Sequence, residues 1–191
     1  MIVGNSIPRR FGSTAVSLHW TIAILMVVGV VLGLVSASLA KTDPQRFVIL
    51  SLHKSIGVTV FAITCARVLW RLSHQPPKFP AMGQLQRVVA TATHVLLYFV
   101  TLAMPLSGYI FSAARGRVTS FFWLFEIPRE VPLDQGLSHT MEVYHRCGQY
   151  AIYALVGLHV AAALHHHFVL RDCVLQSMWP TSRGMRGPTS E

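Results

Sequence analysis

The stretch HRCGQYAIYALVGLHVAAALHHHFVL, residues 145–170, carries His145 and His159 fourteen residues apart, the second deep in the apolar run from Arg146 to Leu170. An α-helix turns about 100° per residue, so fourteen residues complete nearly four turns and put both imidazoles on one face, roughly 21 Å apart along the axis. This is the geometry for holding two metal centres at two depths of a membrane. An ionisable group inside a span is costly enough that function is its default reading.

Composition agrees with a membrane setting. The 191 residues are 52% hydrophobic and only 12% charged, with a mean hydropathy of +0.49, which excludes an ordinary soluble domain. Three more runs, Ala15–Leu39, Phe47–Leu69 and Gln86–Ala113, join Arg146–Leu170, and each approaches or exceeds the ~20 residues that cross a hydrocarbon core of about 30 Å. The expected fold is all-α: an up-and-down four-helix membrane bundle over residues 15–172, with spans at 15–39, 47–69, 86–113 and 146–170. Residues 1–14 are expected to be a cytoplasmic amino terminus and 173–191 a flexible tail. No internal repeat and no separate soluble domain fit in what remains.

Arg9 and Arg10 before the first run, with Ser36-Ala37-Ser38-Leu39-Ala40 after it, imitate a cleaved leader. The run is much longer than the ~7–15 apolar residues of such a leader, and it carries His19, so it is read as a retained span. If both termini are cytoplasmic, that side holds nine basic residues (Arg9, Arg10, Arg67, Arg71, Lys78, Arg87, Arg171, Arg183, Arg186) against seven outside (Lys41, Arg46, Lys54, Arg115, Arg117, Arg129, Arg146), which favours both termini inside. The first connection, Ala40–Pro44, is short and polar, and the second, Gln75–Pro80, is proline-rich. The third, Arg115–Glu142, holds Pro128 and Pro132 and is long enough to form a lid.

Among the ten histidines, depth sorts four into pairs. With the amino terminus inside, His19 opens the first helix near the inner surface and His53 opens the second near the outer one. On the fourth helix, running inward, His145 is outer and His159 deeper. His53 therefore pairs with His145, and His19 with His159. Two neutral imidazoles on opposite faces of a flat macrocycle, in a slot between helices, are the coordination of a b-type haem. Gly57, Gly148, Gly157, Ala161, Ala162 and Ala163 offer room for such slots. A zinc site would need four ligands converging at one depth, and no Cys-x-x-Cys-His is present for covalent haem. For any single histidine, a hydrogen bond to a neighbouring helix is the competing role.

Ser17-Leu18-His19-Trp20, Leu52-His53-Lys54-Ser55-Ile56-Gly57, Ala66-Arg67-Val68-Leu69-Trp70-Arg71-Leu72 and the run Gly157–Phe168 followed by Arg171-Asp172 together resemble the bacterial cytochrome b561 family, over about Thr14 to Asp172. The resemblance implies that His53 and His145, and His19 and His159, are the axial ligands of two haems b, the same pairing that depth gives. It further implies a multi-pass protein of the bacterial inner membrane that passes electrons between ubiquinone or ubiquinol and a redox partner on the outer side. Some close members look like superoxide oxidases. Lys41, Arg46, Lys54, Arg115, Arg117 and Arg146 would draw a small anion to the outer face, opposed there by Asp43, Glu126, Glu130, Asp134 and Glu142.

Around these ligands, His166 lies seven residues beyond His159 on about the same face, where it either contacts a quinone or anchors the helix end with His165 and His167. Arg67 and Arg71, one turn apart, either pair with haem propionates or snorkel to the interface. Lys54 has the same choice between propionate or substrate and the surface. His94, with Tyr98 one turn on, is read as supporting the inner site from outside the coordination, with quinone contact or substitution for His19 as alternatives. His74 and His139 fall in loops, Met104-Pro105 should kink the third helix, and Cys65, Cys147 and Cys173 are not placed to pair. Two functions compete: a free-standing superoxide:ubiquinone oxidoreductase, and an anchor carrying electrons for a dehydrogenase, hydrogenase or other respiratory partner. Membrane lipid surrounds either, and no nucleic acid is expected.

Overall fold

The structure, a computed structural model, describes residues 10–74 and 83–179. The N-terminal residues 1–9, the proline-rich connection at 75–80 and the tail from Pro180 lie outside the described residues. Four long helices are present: α1 (Ser13–Ser38), α2 (Pro44–Ser73), α3 (Gln84–Ala114) and α4 (Gln135–His165). A π-helical turn, His166–Leu170, extends α4, and a short α5 (Val174–Ser177) follows. All four long helices are long and apolar enough to cross a membrane.

Local chemistry sets the ends. Asp43 caps α2 by accepting from the Gln45 N–H at 2.8 Å, with Pro44 in the first turn. Asp134 caps α4 by accepting from the Leu137 N–H at 3.0 Å. That cap, just after Pro132, explains why α4 starts eleven residues before the apolar run that announces it (135 against 146). His139 accordingly stands exposed on a helix rather than in a loop, and His74 is the C-cap of α2, stacked on Trp70 with ring centroids 3.8 Å apart. Pro105 sits within α3, which continues through it to Ala114.

The connection expected as a lid is an antiparallel hairpin, β1 (Thr119–Phe121) with β2 (Phe125–Ile127). Phe122 and Trp123 turn it with φ of 47° and 60°, and the Leu124 N–H closes the turn on the Phe121 carbonyl. The hairpin is stapled down. Ser55 Oγ accepts from the Phe122 N–H at 2.9 Å, and its single hydrogen is shared between the Ser51 carbonyl of its own helix at 2.9 Å and the Ser120 carbonyl at 3.2 Å. Lys54 Nζ donates to Ser112 Oγ at 2.7 Å and to the Val118 carbonyl at 3.3 Å, so its ammonium is committed to the fold.

α1 packs on α2, α2 on α3 and α3 on α4, while among the described residues α4 makes no close backbone contact with α1 or α2. Most buried positions are small or polar, including Ser55, Ser112, Ala113, Ala114 and Ser138, with Val16, Val60 and Ile152 the bulky exceptions among the described residues, whereas Ile24, Val27 and Val31 face outward. Helices in lipid gain nothing from hiding leucine from their solvent and associate through small residues and hydrogen bonds instead. The tightest packing therefore sits at the hairpin end, where Ser138 Oγ donates to the Phe111 carbonyl and the Asp134 N–H to the Ala114 carbonyl. The other end, which gathers the start of α1 and the end of α4, is the terminal end. Beyond Asp172, where a loose tail was expected, α5 is tied to α1: Trp20 Nε1 donates to the Met178 carbonyl at 2.7 Å.

Ser55→Ala should strip the half-buried Phe122 N–H of its partner and cost about 1 kcal/mol. The expected readouts are a lower thermal midpoint and faster proteolysis between residues 116 and 133; wild-type behaviour in both would remove the staple from the account.

Candidate functional site

At the hairpin end, His53 of α2 faces His145 of α4, with ring centroids 6.2 Å apart and planes at 87°. Each ring is anchored in the same way. His53 Nδ1 lies 2.8 Å from the Gly29 carbonyl, and a Cβ on Gly33 would come within 2.9 Å of His53 Cε1. His145 Nδ1 lies 3.0 Å from the Met104 carbonyl, and a Cβ on Gly108 would come within 2.9 Å of His145 Cε1. In both cases an imidazole enters a glycine recess of the preceding helix and bonds the carbonyl four residues earlier. A carbonyl only accepts, so Nδ1 carries the hydrogen and the Nε2 lone pair is left for another partner. Ser107 Oγ, donating to the same Met104 carbonyl, lies 3.3 Å from His145 Nδ1 as a second acceptor.

At the terminal end, His19 of α1 and His159 of α4 have centroids 6.1 Å apart and planes at 72°. His94 of α3 stands beside His159 at 5.4 Å, and Trp20 beside His19 at 5.6 Å. Arg67 donates through Nε to Tyr98 Oη and through Nη1 to the Ala15 carbonyl, both at 3.1 Å. Arg71 lies over the Phe11 ring at 5.9 Å. Arg67, Arg71, Trp70, Tyr98, Phe11, Ala15 and Met178 line a small open pocket. His166 stands at the start of the π-helical turn with its Nδ1 on Asp172.

The two pairs fit an iron held between imidazoles. Two metal–nitrogen bonds of about 2 Å, plus ~1 Å from each nitrogen to its ring centre, require centroids about 6 Å apart. Both pairs meet that spacing, and they bridge α2 to α4 and α1 to α4, the helix pairs that do not otherwise pack. A flat group that keeps two helices apart while joining them through its axial ligands needs this arrangement. His94 is nearer to His159 than that spacing, which suits a neighbour of the pair better than a member of it.

The glycines that receive the hairpin-end imidazoles are not the ones expected to make room for haem. A Cβ on Gly57 would meet only Pro105 Cβ at 3.9 Å, one on Gly157 nothing within 4 Å, and Gly148 faces the Met104 side chain. The recesses belong to Gly33 and Gly108, on the helices that carry no ligand of the hairpin-end pair. The available signal was the four-residue spacing of Gly29 and Gly33 inside a span of bulky residues. On the hairpin face, Glu142 bridges Arg115 and Arg146, so these two cations are partly neutralised.

Gly33→Val and Gly108→Val should each expel an imidazole from its recess. A low-spin haem held by His53 and His145 would then lose its electron paramagnetic resonance signal while one held by His19 and His159 would keep it; unchanged spectra in both variants would refute the recess role.

Comparison with known proteins identifies the family. The profile of the prokaryotic cytochrome b561 family matches residues 10–181. "Cytochrome b561 homolog 2" of Escherichia coli (strain K12) is 31% identical over 172 residues, covering 90% of this chain and 92% of that protein. "Probable superoxide oxidase CybB" of Yersinia pestis is 27% identical over 179 residues, covering 92% and 99%. "Cytochrome b561 homolog 1" of Escherichia coli (strain K12) is 24% identical over 173 residues, covering 90% and 98%. A helical membrane bundle with two facing histidine pairs, matched nearly end to end by this profile, belongs to the prokaryotic cytochrome b561 family, as an electron-transfer protein of a bacterial membrane.

Proposed function

We propose that this chain is a di-haem b cytochrome of the bacterial inner membrane that takes electrons from superoxide at its outer, hairpin face and delivers them to ubiquinone near its cytoplasmic, terminal end. The observation that carries the reading is the recurrence of one spacing at two depths of a single helix: 6.2 Å for His53–His145 and 6.1 Å for His19–His159. Haem b held by each pair would supply a reversible one-electron centre. The cytochrome domain takes in residues 15–172, with both termini cytoplasmic.

The chain's own residues divide the remaining work. Carbonyls of Gly29 and Met104 orient His53 and His145 and increase their electron donation to a metal. Arg67 and Arg71 supply positive charge at the terminal end, suited to propionates. His166 is the quinone contact, and His94 supports His159. The overall exchange balances as two superoxide ions each losing one electron to become dioxygen, while one ubiquinone gains two electrons and two protons. Resemblance to a probable superoxide oxidase supports superoxide as the donor.

The competing reading, a membrane anchor for a respiratory partner, draws on the hairpin tip, where Trp123, Leu124 and Phe125 are exposed together. A docked protein would cover such a tip.

Purified protein should carry two low-spin b-type haems per chain; one per chain overturns the paired-site reading. Replacing His53 or His145 by alanine should remove one haem and leave the other. In the isolated protein, superoxide should drive ubiquinone reduction well above the uncatalysed rate, and a rate at background would favour the anchor.

A further inference from the structure

At the terminal end α4 stops in an unusual way. α-Helical hydrogen bonding runs through His165, residues His166–Leu170 are π-helical, and Arg171 follows with φ 51°. π-Helical turns are rare and concentrate at functional sites. A non-glycine residue in the left-handed region costs roughly 1–2 kcal/mol. Arg171, whose side chain is exposed, gains nothing visible from that conformation.

What the turn achieves is to fold Asp172 back over His166. The N–H groups of Arg171 and Asp172 both donate to the His166 carbonyl, the latter at 3.1 Å. Asp172 Oδ2 then accepts from His166 Nδ1 at 2.5 Å, and Asp172 Oδ1 accepts from the Val174 N–H at 3.0 Å, at the start of α5. The two side chains are only 15% and 23% exposed. α5 is itself fastened to α1, with the Trp20 indole on Met178 and the Phe11 N–H on the Ser177 carbonyl. Main chain, carboxylate and the following helix therefore all act on one imidazole.

The His166–Asp172 hydrogen bond defines what that imidazole can do. A carboxylate only accepts, so Nδ1 carries a hydrogen and Nε2 is the nitrogen presented to a partner. Because α-helical register holds up to His165, His166 keeps the face of His159, seven residues and about 10 Å further along the axis.

We infer that Asp172 is a positioning residue that holds His166 as the proton donor to the quinone, a role that rests on the reading of ubiquinone as the acceptor at this end. In each of two visits, the His166 Nε2–H bond breaks and an O–H bond forms at a carbonyl oxygen of the reduced quinone. The electrons come singly from the outer donor, superoxide, which leaves as dioxygen. His166 is left neutral with Nδ1–H on Asp172 and recovers a proton from water at the cytoplasmic surface. Asp172 touches no substrate; it fixes the tautomer and stabilises the imidazolium before each transfer.

Asp172→Asn retains an acceptor for the Val174 N–H but removes the charge. The full-length, haem-loaded variant would be reduced and mixed in stopped flow with ubiquinone, and separately with ferricyanide, which takes electrons without protons. Oxidation by ubiquinone should slow by about 10- to 100-fold, with the ferricyanide rate and both haem midpoint potentials unchanged. Asp172→Glu should recover part of the loss, and His166→Gln combined with Asp172→Asn should be no slower than His166→Gln alone, because the two act as a unit. Wild-type ubiquinone kinetics in Asp172→Asn would overturn the inference while leaving the proposed function intact, and slowing with both oxidants would reduce Asp172 to a structural cap. A wild-type protein that ubiquinone never oxidises would sink the function and the inference together.

Discussion

A metal ligand must anchor one side of its ring before it can offer the other. Here that anchor is a hydrogen bond from an imidazole Nδ1 to a backbone carbonyl of the neighbouring helix, made possible because a glycine one turn further on lets the ring enter the groove. His53 with Gly29 and Gly33, and His145 with Met104 and Gly108, repeat the device in the α1–α2 and α3–α4 hairpins. Carbonyls inside an α-helix are normally engaged in their own ladder, but each has a second lone pair, and in a membrane there is no water to compete for it. The depth, tilt and tautomer of both hairpin-end ligands follow from this one interaction.

The terminal end is built on another plan. No carbonyl holds the Nδ1 of His19 or His159 among the described residues; their surroundings are His94, Trp20 and the Arg67–Tyr98 pair. Carbonyl acceptors would make an imidazole a stronger donor and favour the oxidised form of a metal it held, whereas nearby guanidinium charge would favour the reduced form. The asymmetry runs in the direction an electron would take from the hairpin face to the terminal face. It also places the protonatable groups, His166 and Asp172, at the end where a two-proton acceptor would be needed.

Much of this was legible in the residues, for identifiable reasons. Span count followed from run length, because the bilayer imposes a minimum that chance seldom meets four times. The pairing of His53 with His145 and of His19 with His159 followed from depth, because alternating helices convert sequence position into height. The true start of α4 was hidden, since residues 135–145 mix polar with apolar positions and the start is marked by Asp134 at the N-cap. Gly33 and Gly108 were missed because a ligand's recess lies on a different helix from the ligand, and one-dimensional spacing carries no record of which helices touch. Asp172 was quoted only as part of a motif; the π-helical turn that brings it to His166 has no sequence period of its own.

The pattern of helix contacts gives the histidine pairs a second task. Among the four long helices as described, α4 packs through its backbone on α3 alone and faces α1 and α2 through its imidazoles, with the α5 clasp joining α1 beyond its end. Apolar burial cannot close the remaining gap, since lipid solvates leucine as well as a neighbouring helix does. Closure therefore depends on what the paired nitrogens grip, and any group bound only by the closed bundle stabilises it in proportion to the logarithm of its concentration over its dissociation constant. A cofactor held between the paired imidazoles would thus add to the packing of the bundle as well as to its chemistry. The anchors at Gly29 and Met104 and the Asp172 turn set each ligand's direction locally, and the metal sites complete the packing that side chains in lipid cannot supply.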